Sequence, residues 1–215
     1  MMQDRMTEDR TTVFLVDDDP GVLKALARLL RAGGQEVQTF GSPQEFLAQH
    51  DPSVPGCAIF DVAMPGLDGL QLQAALSAGG TDRPVIFITG FGDVPTSVRA
   101  MKAGAIDFLA KPIDGKQLLG AVAQAIEKDK AARRHHQELA ALRQRLSTLT
   151  PREREVMTHV VAGRLNKQIA HALGTVEKTI KVHRGRMMDK LGVRTVADLV
   201  RLAAQAGIEA APPRQ

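Results

Sequence analysis

The chain has 215 residues and a mass of 23.2 kDa, room for two small domains or one of ordinary size. Apolar residues make up 44% and charged residues 24%, which excludes a disordered chain, and no apolar run reaches the roughly 18 residues that span a bilayer. Cys57 is the single cysteine, so an internal disulfide framework and a cysteine-built zinc cluster are excluded as well. Residues 1–12 are polar and acid-rich, unlike a secretory signal, and a cytoplasmic location with no membrane contact is the expectation.

Charge divides the chain. Residues 1–126 hold 10 Lys/Arg against 15 Asp/Glu, a net charge of −5, and residues 127–215 hold 18 against 9, a net +9. A basic module that meets a polyanion, joined to an acidic module with another task, fits this asymmetry. All seven Phe lie at or before Phe108 and the chain has no Trp or Tyr. Binders of single-stranded nucleic acid usually stack bases on aromatic side chains, so duplex DNA is the better partner for the basic half, which has no Phe, Tyr or Trp.

In chain order, short apolar and β-branched runs predict strands at 12–16, 36–40, 57–60, 84–89 and 105–109. Helical patterns fall between them at 22–31, 43–49, 70–77 and 96–103, and a fifth begins at Lys116. Such alternation predicts a doubly wound parallel sheet covered on both faces, with its ligand site beyond the carboxyl ends of the strands. The fifth helix runs without a clear stop to about Arg145. Leu139, Leu142, Leu146 and Leu149 form a stripe on it, either packed on its own domain or used as a dimer seam. His135 and His136 are neighbours and face different ways, which argues against a metal site. Beyond Leu149 the pattern is helical throughout. Thr150-Pro151-Arg152-Glu153 and Thr195-Val196-Ala197-Asp198 are helix starts, Gly163, Gly174 and Gly192 are stops, and residues 210–215 read as a frayed end.

Asp17, Asp18 and Asp19 follow the first strand, Asp61 ends the third, Thr89 ends the fourth, and Lys111-Pro112 follows the fifth. In a parallel sheet these gather at one edge. Clustered carboxylates repel; a hard divalent cation relieves that repulsion, and Lys111 adds a fixed positive charge. A cation, an ammonium and a hydroxyl around one carboxylate suit a phosphoryl group, with the carboxylate as the nucleophile that receives it. Asp19, ahead of Pro20 and Gly21, reads instead as a helix cap.

Residues 11–126 resemble the receiver domain of two-component response regulators. The matching pieces are Val16-Asp17-Asp18, Asp61-Val62-Ala63-Met64-Pro65-Gly66-Leu67-Asp68-Gly69, Ile88-Thr89-Gly90 and Asp107-Phe108-Leu109-Ala110-Lys111-Pro112. The resemblance implies a flavodoxin-like five-stranded sheet and a sensor histidine kinase that phosphorylates Asp61. It implies Mg²⁺ (or Mn²⁺) on Asp17, Asp18, Asp61 and the Ala63 carbonyl, with Thr89 and Lys111 on the phosphoryl oxygens. Phe108 would be the switch aromatic, plain core being the other reading, and the Lys111–Pro112 peptide would be cis.

Residues from about 147 to 206 resemble the LuxR/FixJ-type helix-turn-helix. The matching pieces are Leu149-Thr150-Pro151-Arg152-Glu153-Arg154-Glu155-Val156, Gly163-Arg164-Leu165-Asn166-Lys167-Gln168-Ile169-Ala170, Lys178-Thr179-Ile180-Lys181-Val182-His183-Arg184 and Met188-Asp189-Lys190-Leu191-Gly192-Val193. The implied scaffold helix is 166–173 and the recognition helix 177–191. Lys178, Lys181 and Arg184 share one face by spacing; with Val182 they are the candidates for groove contacts, and Lys167, Thr179 and Arg186 for phosphate contacts. His183 sits at a matching position and could serve packing. Val176 stands where the family usually has a capping Ser, and Thr175 could take over the cap. Gly185 lies inside the recognition helix at a cost of about 1 kcal/mol; it either lets the backbone approach DNA or removes a contact that relatives make.

The expected organisation is therefore a receiver at 11–126, a helical linker at 127–147 and an all-α four-helix DNA-binding head at 148–208. The chain would be a transcriptional response regulator, commonly an activator, that dimerises on phosphorylation through its fourth helix and fifth strand. RNA polymerase is a candidate contact. Two other classes stay open: a small-molecule sensor, against which the lack of Trp and Tyr counts, and a phosphohydrolase, for which Ala63 stands where a common arrangement has a second Asp.

Overall fold

The computed structural model describes residues 11–90 and 94–211. The first ten residues and the last four, which carry most of the polar leader and of the frayed end named above, lie outside the described residues. Ala211, at the limit, donates its backbone N–H to Thr158 O at 3.1 Å.

Five strands, β1 (Thr12–Val16), β2 (Glu36–Phe40), β3 (Gly56–Asp61), β4 (Val85–Thr89) and β5 (Asp107–Ala110), form one parallel sheet in the order β2-β1-β3-β4-β5. Alternation along each strand splits the core in two. Val13, Leu15, Cys57, Ile59, Ile86, Ile88 and Leu109 face one side, under α1 (Pro20–Ala32) and the first turns of α5 (Gly115–Ser147). Phe14, Val16, Ala58, Phe60, Val85 and Phe87 face the other, which also holds Phe46 of α2 (Pro43–Gln49), Leu72 and Leu76 of α3 (Gly69–Ala78) and Ala100 of α4 (Val94–Lys102). Strands buried on both faces are continuously apolar, which is why they stand out in the sequence.

The fifth strand begins at Asp107 instead of the expected 105. Ala105 still donates to Ala100 O in the turn that closes α4, and the sheet is joined only where Ile106 N–H meets Val85 O at 2.7 Å. Two glycines are required by close approach. At Gly56, with φ +141°, a Cβ would sit 1.9 Å from Thr12 O. At Gly69 it would sit 2.4 Å from Asp61 O, so α3 can begin directly behind that aspartate.

At the amino ends of the strands, a set of charges invisible to motif reading ties α5 to the sheet. Asp129 is buried and accepts from Gly56 N–H at 2.9 Å and Arg133 Nε at 2.8 Å. Arg133 also donates to the carbonyls of Pro52, Ser53 and Val54. Arg83 is buried over the Phe14 ring at 4.2 Å and donates to Asp51 O and Val54 O; burial pulls its pKa down to about 10. The chain divides into two compact units at residues 133 and 134, so the 127–147 stretch expected as a linker is shared between them.

The second unit packs the end of α5 with α6 (Pro151–Val161), α7 (Asn166–Ala172), α8 (Glu177–Leu191) and α9 (Val196–Gln205). Its core is aliphatic and thioether: Val156, Met157, Val160, Ile169, Ile180, Met187, Leu191, Leu199 and Leu202. Leu142 and Leu149 are buried in it and Leu146 packs against it, so three of the four leucines of the stripe belong to this bundle, and Leu139 is half-buried outside the cluster. Capping boxes start α6 (Thr150 with Glu153) and α9 (Thr195 with Asp198) as the sequence predicts. Removing the Leu142 side chain should leave a cavity under α5. Leu142→Ala is expected to destabilise the second unit by about 3 kcal/mol, read by calorimetry, without changing the melting of the first.

Candidate functional site

Register brings the sheet's carboxyl ends to one line: Val16 pairs with Phe60, Asp61 with Ile88, and Thr89 with Ala110. Asp17 leaves β1, Asp61 closes β3, Thr89 closes β4 and Lys111 follows β5, whose last turn is tied by Lys111 N–H to Thr89 O at 2.7 Å. Asp17 and Asp61 are both buried, and the Lys111 ammonium lies 2.8 Å from a carboxylate oxygen of each. The other oxygen of each carboxylate accepts a loop N–H two residues on, Asp19 N–H for Asp17 at 2.8 Å and Ala63 N–H for Asp61 at 2.9 Å. Each acid is therefore held from two directions. Burial raises the Asp61 pKa, and Lys111 offsets that only in part. Burial also opposes the Lys111 charge, but its bonds to Asp17 and Asp61 outweigh that and raise its pKa.

Thr89 is buried at this edge and the Lys111–Pro112 peptide is cis. Phe108 is half-buried on β5 and tilts against Phe87 with ring centroids 6.5 Å apart. Asp18 is exposed, and Asp19 caps α1 through Gly21 N–H and Val22 N–H. Hard carboxylate oxygens converging from Asp17 and Asp61 are the donor type a small divalent cation takes. Among the described residues, no three His, Cys, Asp or Glu side chains stand close enough to hold one; Asp18, beside Asp17, is exposed.

On the second unit, Ile180, Met187 and Leu191 fix which face of α8 is buried. Lys178, Lys181, Val182 and Arg186 are exposed, as is Lys167 on α7, whereas Thr179, His183 and Arg184 are half-buried. Arg184 departs from the single basic face drawn by three-residue spacing. Its guanidinium donates to Asn166 Oδ1 at 3.1 Å and ties α8 to the start of α7. Six residues of helix turn by about 600°, which carries position 184 well round from 178. Val176 caps α8 without a side-chain bond and Thr175 does not take its place; Glu177 in the first turn supplies the favourable negative charge.

Lys190, in the last turn of α8, was not among the sequence candidates, yet it fastens the helix. Its ammonium reaches Glu153 Oε2 at 2.7 Å and Thr148 O at 3.1 Å, while the same Glu153 oxygen accepts Thr150 N–H at 2.8 Å. Glu153 is thus both the capping residue of α6 and the anchor of α8. Its capping role was legible from Thr150 three residues earlier; its bond to a residue 37 positions away was not.

The two units are those of a DNA-binding response regulator: a parallel sheet with a lysine-bridged acid pair at its carboxyl edge, and a basic helix-turn-helix bundle. The family model for the response regulator receiver domain matches residues 13–123, and that for bacterial regulatory proteins of the luxR family matches 147–203. Nodulation protein W of Bradyrhizobium diazoefficiens is 44% identical over 94% of this chain and 88% of its own length. The solved response regulator StyR is 44% identical with a TM-score of 0.84, covering 91% of this chain and 99% of that one. Full-length FixJ from B. japonicum is 37% identical with a TM-score of 0.57, covering 93% and 98%. The chain belongs to the response regulators with a receiver and a luxR-type DNA-binding domain, which are transcription regulators and not classical enzymes. Among the described residues, no helix is long and apolar enough to cross a membrane.

Lys190 and the capping bonds hold Glu153 below the usual carboxylate pKa. A lowered folded-state pKa gives stability that is present above the ordinary glutamate range and lost as pH falls through the folded value. The melting advantage of wild type over Glu153→Gln should therefore be constant from pH 7 to about 5 and shrink below about pH 4.5. An advantage independent of pH down to 3 would show that the charge of Glu153 is not what holds α8.

Proposed function

We propose that this regulator is switched by phosphorylation of Asp61 by a sensor histidine kinase, and that the switched form pairs and binds promoter DNA, most often to activate. The carrying observation is the Lys111 ammonium shared between Asp17 and Asp61 at 2.8 Å each. A carboxylate that accepts a phosphoryl group must be ionised to attack and must have a cation beside it when the product is formed. Lys111 meets both needs. A carboxylate oxygen of Asp61 attacks phosphorus, the bond from phosphorus to the donor's imidazole nitrogen breaks, and an acyl phosphate remains on Asp61.

Asp17, Asp18, Asp61 and the Ala63 carbonyl are the residues that would hold Mg²⁺ or Mn²⁺. Such an ion supplies charge neutralisation for the phosphoryl oxygens. The new group carries about 1.5–2 negative charges. Lys111 shifts its hydrogen bonding onto it, the Thr89 hydroxyl turns to it, and Phe108, half-buried on the neighbouring strand, follows the vacated space. Water later attacks the acyl phosphate, releasing inorganic phosphate and restoring the Asp61 carboxylate; this is the turnover we assign to the site. We place the work in the cytoplasm, with RNA polymerase as a partner at the promoter.

In the second unit, the exposed Lys178, Lys181 and Val182 enter the major groove, and Lys167 and Arg186 meet phosphates. The half-buried Thr179, His183 and Arg184 support them, Arg184 by holding α7 and α8 together.

Acetyl phosphate with Mg²⁺ should convert wild type from monomer to dimer in size-exclusion chromatography with light scattering. Asp61→Asn should take up no phosphate and stay monomeric; a variant that dimerises like wild type overturns the switch. Chelating the divalent ion should abolish phosphate uptake. Lys181→Ala should weaken duplex binding for all sequences and reduce the salt slope, log K against log salt, by about 1 if it meets a phosphate, or relax one base position if it meets a base edge.

A further inference from the structure

The face of α8 turned away from the bundle carries Lys178, Lys181, Val182, Gly185 and Arg186. Two of these are unexpected on a charged ridge. Val182 is 45% exposed, an apolar side chain in solvent. Gly185 lies three residues further, on the same side of the helix. A Cβ added there would meet nothing within 4 Å, and its φ is not in the left-handed range, so neither packing nor backbone geometry asks for glycine. Mid-helix glycine is less favourable than alanine, because it loses more chain freedom on folding. What distinguishes Gly185 is its place: it stands on the exposed face of α8 beside Val182, and no group of the protein occupies the space a side chain there would fill.

Resting on the reading of α8 as the recognition helix, we propose that Val182 and Gly185 form a specificity-determining notch that accepts the C5-methyl group of a thymine in the major groove. Thymine is the base that presents a methyl there. The isopropyl group of Val182 supplies one apolar wall, and the bare backbone at Gly185 supplies the depth. Lys181 and Arg186 flank the notch with charge, which keeps the helix against the duplex without filling it. Any side chain at 185 would stand in the methyl's place and hold the helix off by its own width.

The test uses the full chain, treated with acetyl phosphate and Mg²⁺, and a duplex selected by wild type from a randomised library. Replacing one thymine per half-site by deoxyuridine should weaken wild-type binding about fourfold, the worth of one buried methyl. Gly185→Ala should melt no lower than wild type, bind the selected duplex more weakly, and lose the preference for thymine over deoxyuridine. Wild type that is indifferent to deoxyuridine at every position overturns the notch, as does Gly185→Ala with unchanged affinity and preference. Those outcomes leave the DNA-binding reading standing. That reading falls, and the notch with it, if wild type enriches no sequence or if Lys181→Ala binds the selected duplex undiminished.

Discussion

One ammonium shared by two buried carboxylates is the constraint around which the first unit is arranged. Asp17 and Asp61 are almost wholly enclosed, and two bare charges so placed would repel and resist ionisation. Lys111 sits 2.8 Å from both, so the repulsion between the two acids is answered by a group arriving from a third strand end. Nothing less than the whole sheet can deliver this. β1 and β3 must be adjacent, β5 must reach the same level as β4, and Gly69 must let α3 begin behind Asp61. The parallel order β2-β1-β3-β4-β5, with its reversal of direction between β1 and β3, opens the edge at which these groups meet.

What the sequence disclosed and what it withheld follow from range. Asp61, Thr89 and Lys111 were legible because each stands just after a short, doubly buried apolar run, and parallel strands must end on one side. Thr150 and Thr195 were legible because a cap and its partner lie three residues apart. Asp129 and Arg133 are four residues apart, but their other partners and the hydrogen-bond partners of Arg83 lie 29 to 81 residues away, and several are backbone carbonyls, which no side-chain pattern records. Arg184 was placed on the basic face by a three-residue step repeated once too often. The start of β5 was drawn two residues early, because Ala105 and Ile106 are apolar whether they close a helix or open a strand.

The two units reach stability by different routes. The first buries a double layer of branched and aromatic side chains, with Phe14, Phe40, Phe46 and Phe60 in edge and stacked contact. The second has no ring of Phe, Tyr or Trp to bury, and its helices are short, so their unsatisfied ends weigh heavily. Capping boxes and the Glu153–Lys190 bond answer that need. The same economy leaves α8 free to spend its outer face on lysines, a valine and a glycine, none of which the bundle requires.

Rigidity at the acidic edge also decides where a signal can go. A phosphoryl group on Asp61 would put about 1.5–2 negative charges beside Asp17 in place of the one carboxylate charge it consumes. Val62 N–H is bonded to Ile88 O, and the strands on either side of Asp61 are fully paired, so the backbone there has little room to give. Ala63 N–H already holds one Asp61 oxygen. The charge must therefore be met by side chains, first Lys111, which would trade a carboxylate for a phosphoryl oxygen, and then the Thr89 hydroxyl. Both lie on the β4 and β5 side of the sheet, next to the half-buried Phe108, so the change would travel toward β5 and the exposed Val98 and Met101 of α4. β2 lies on the far side of β1 from these groups.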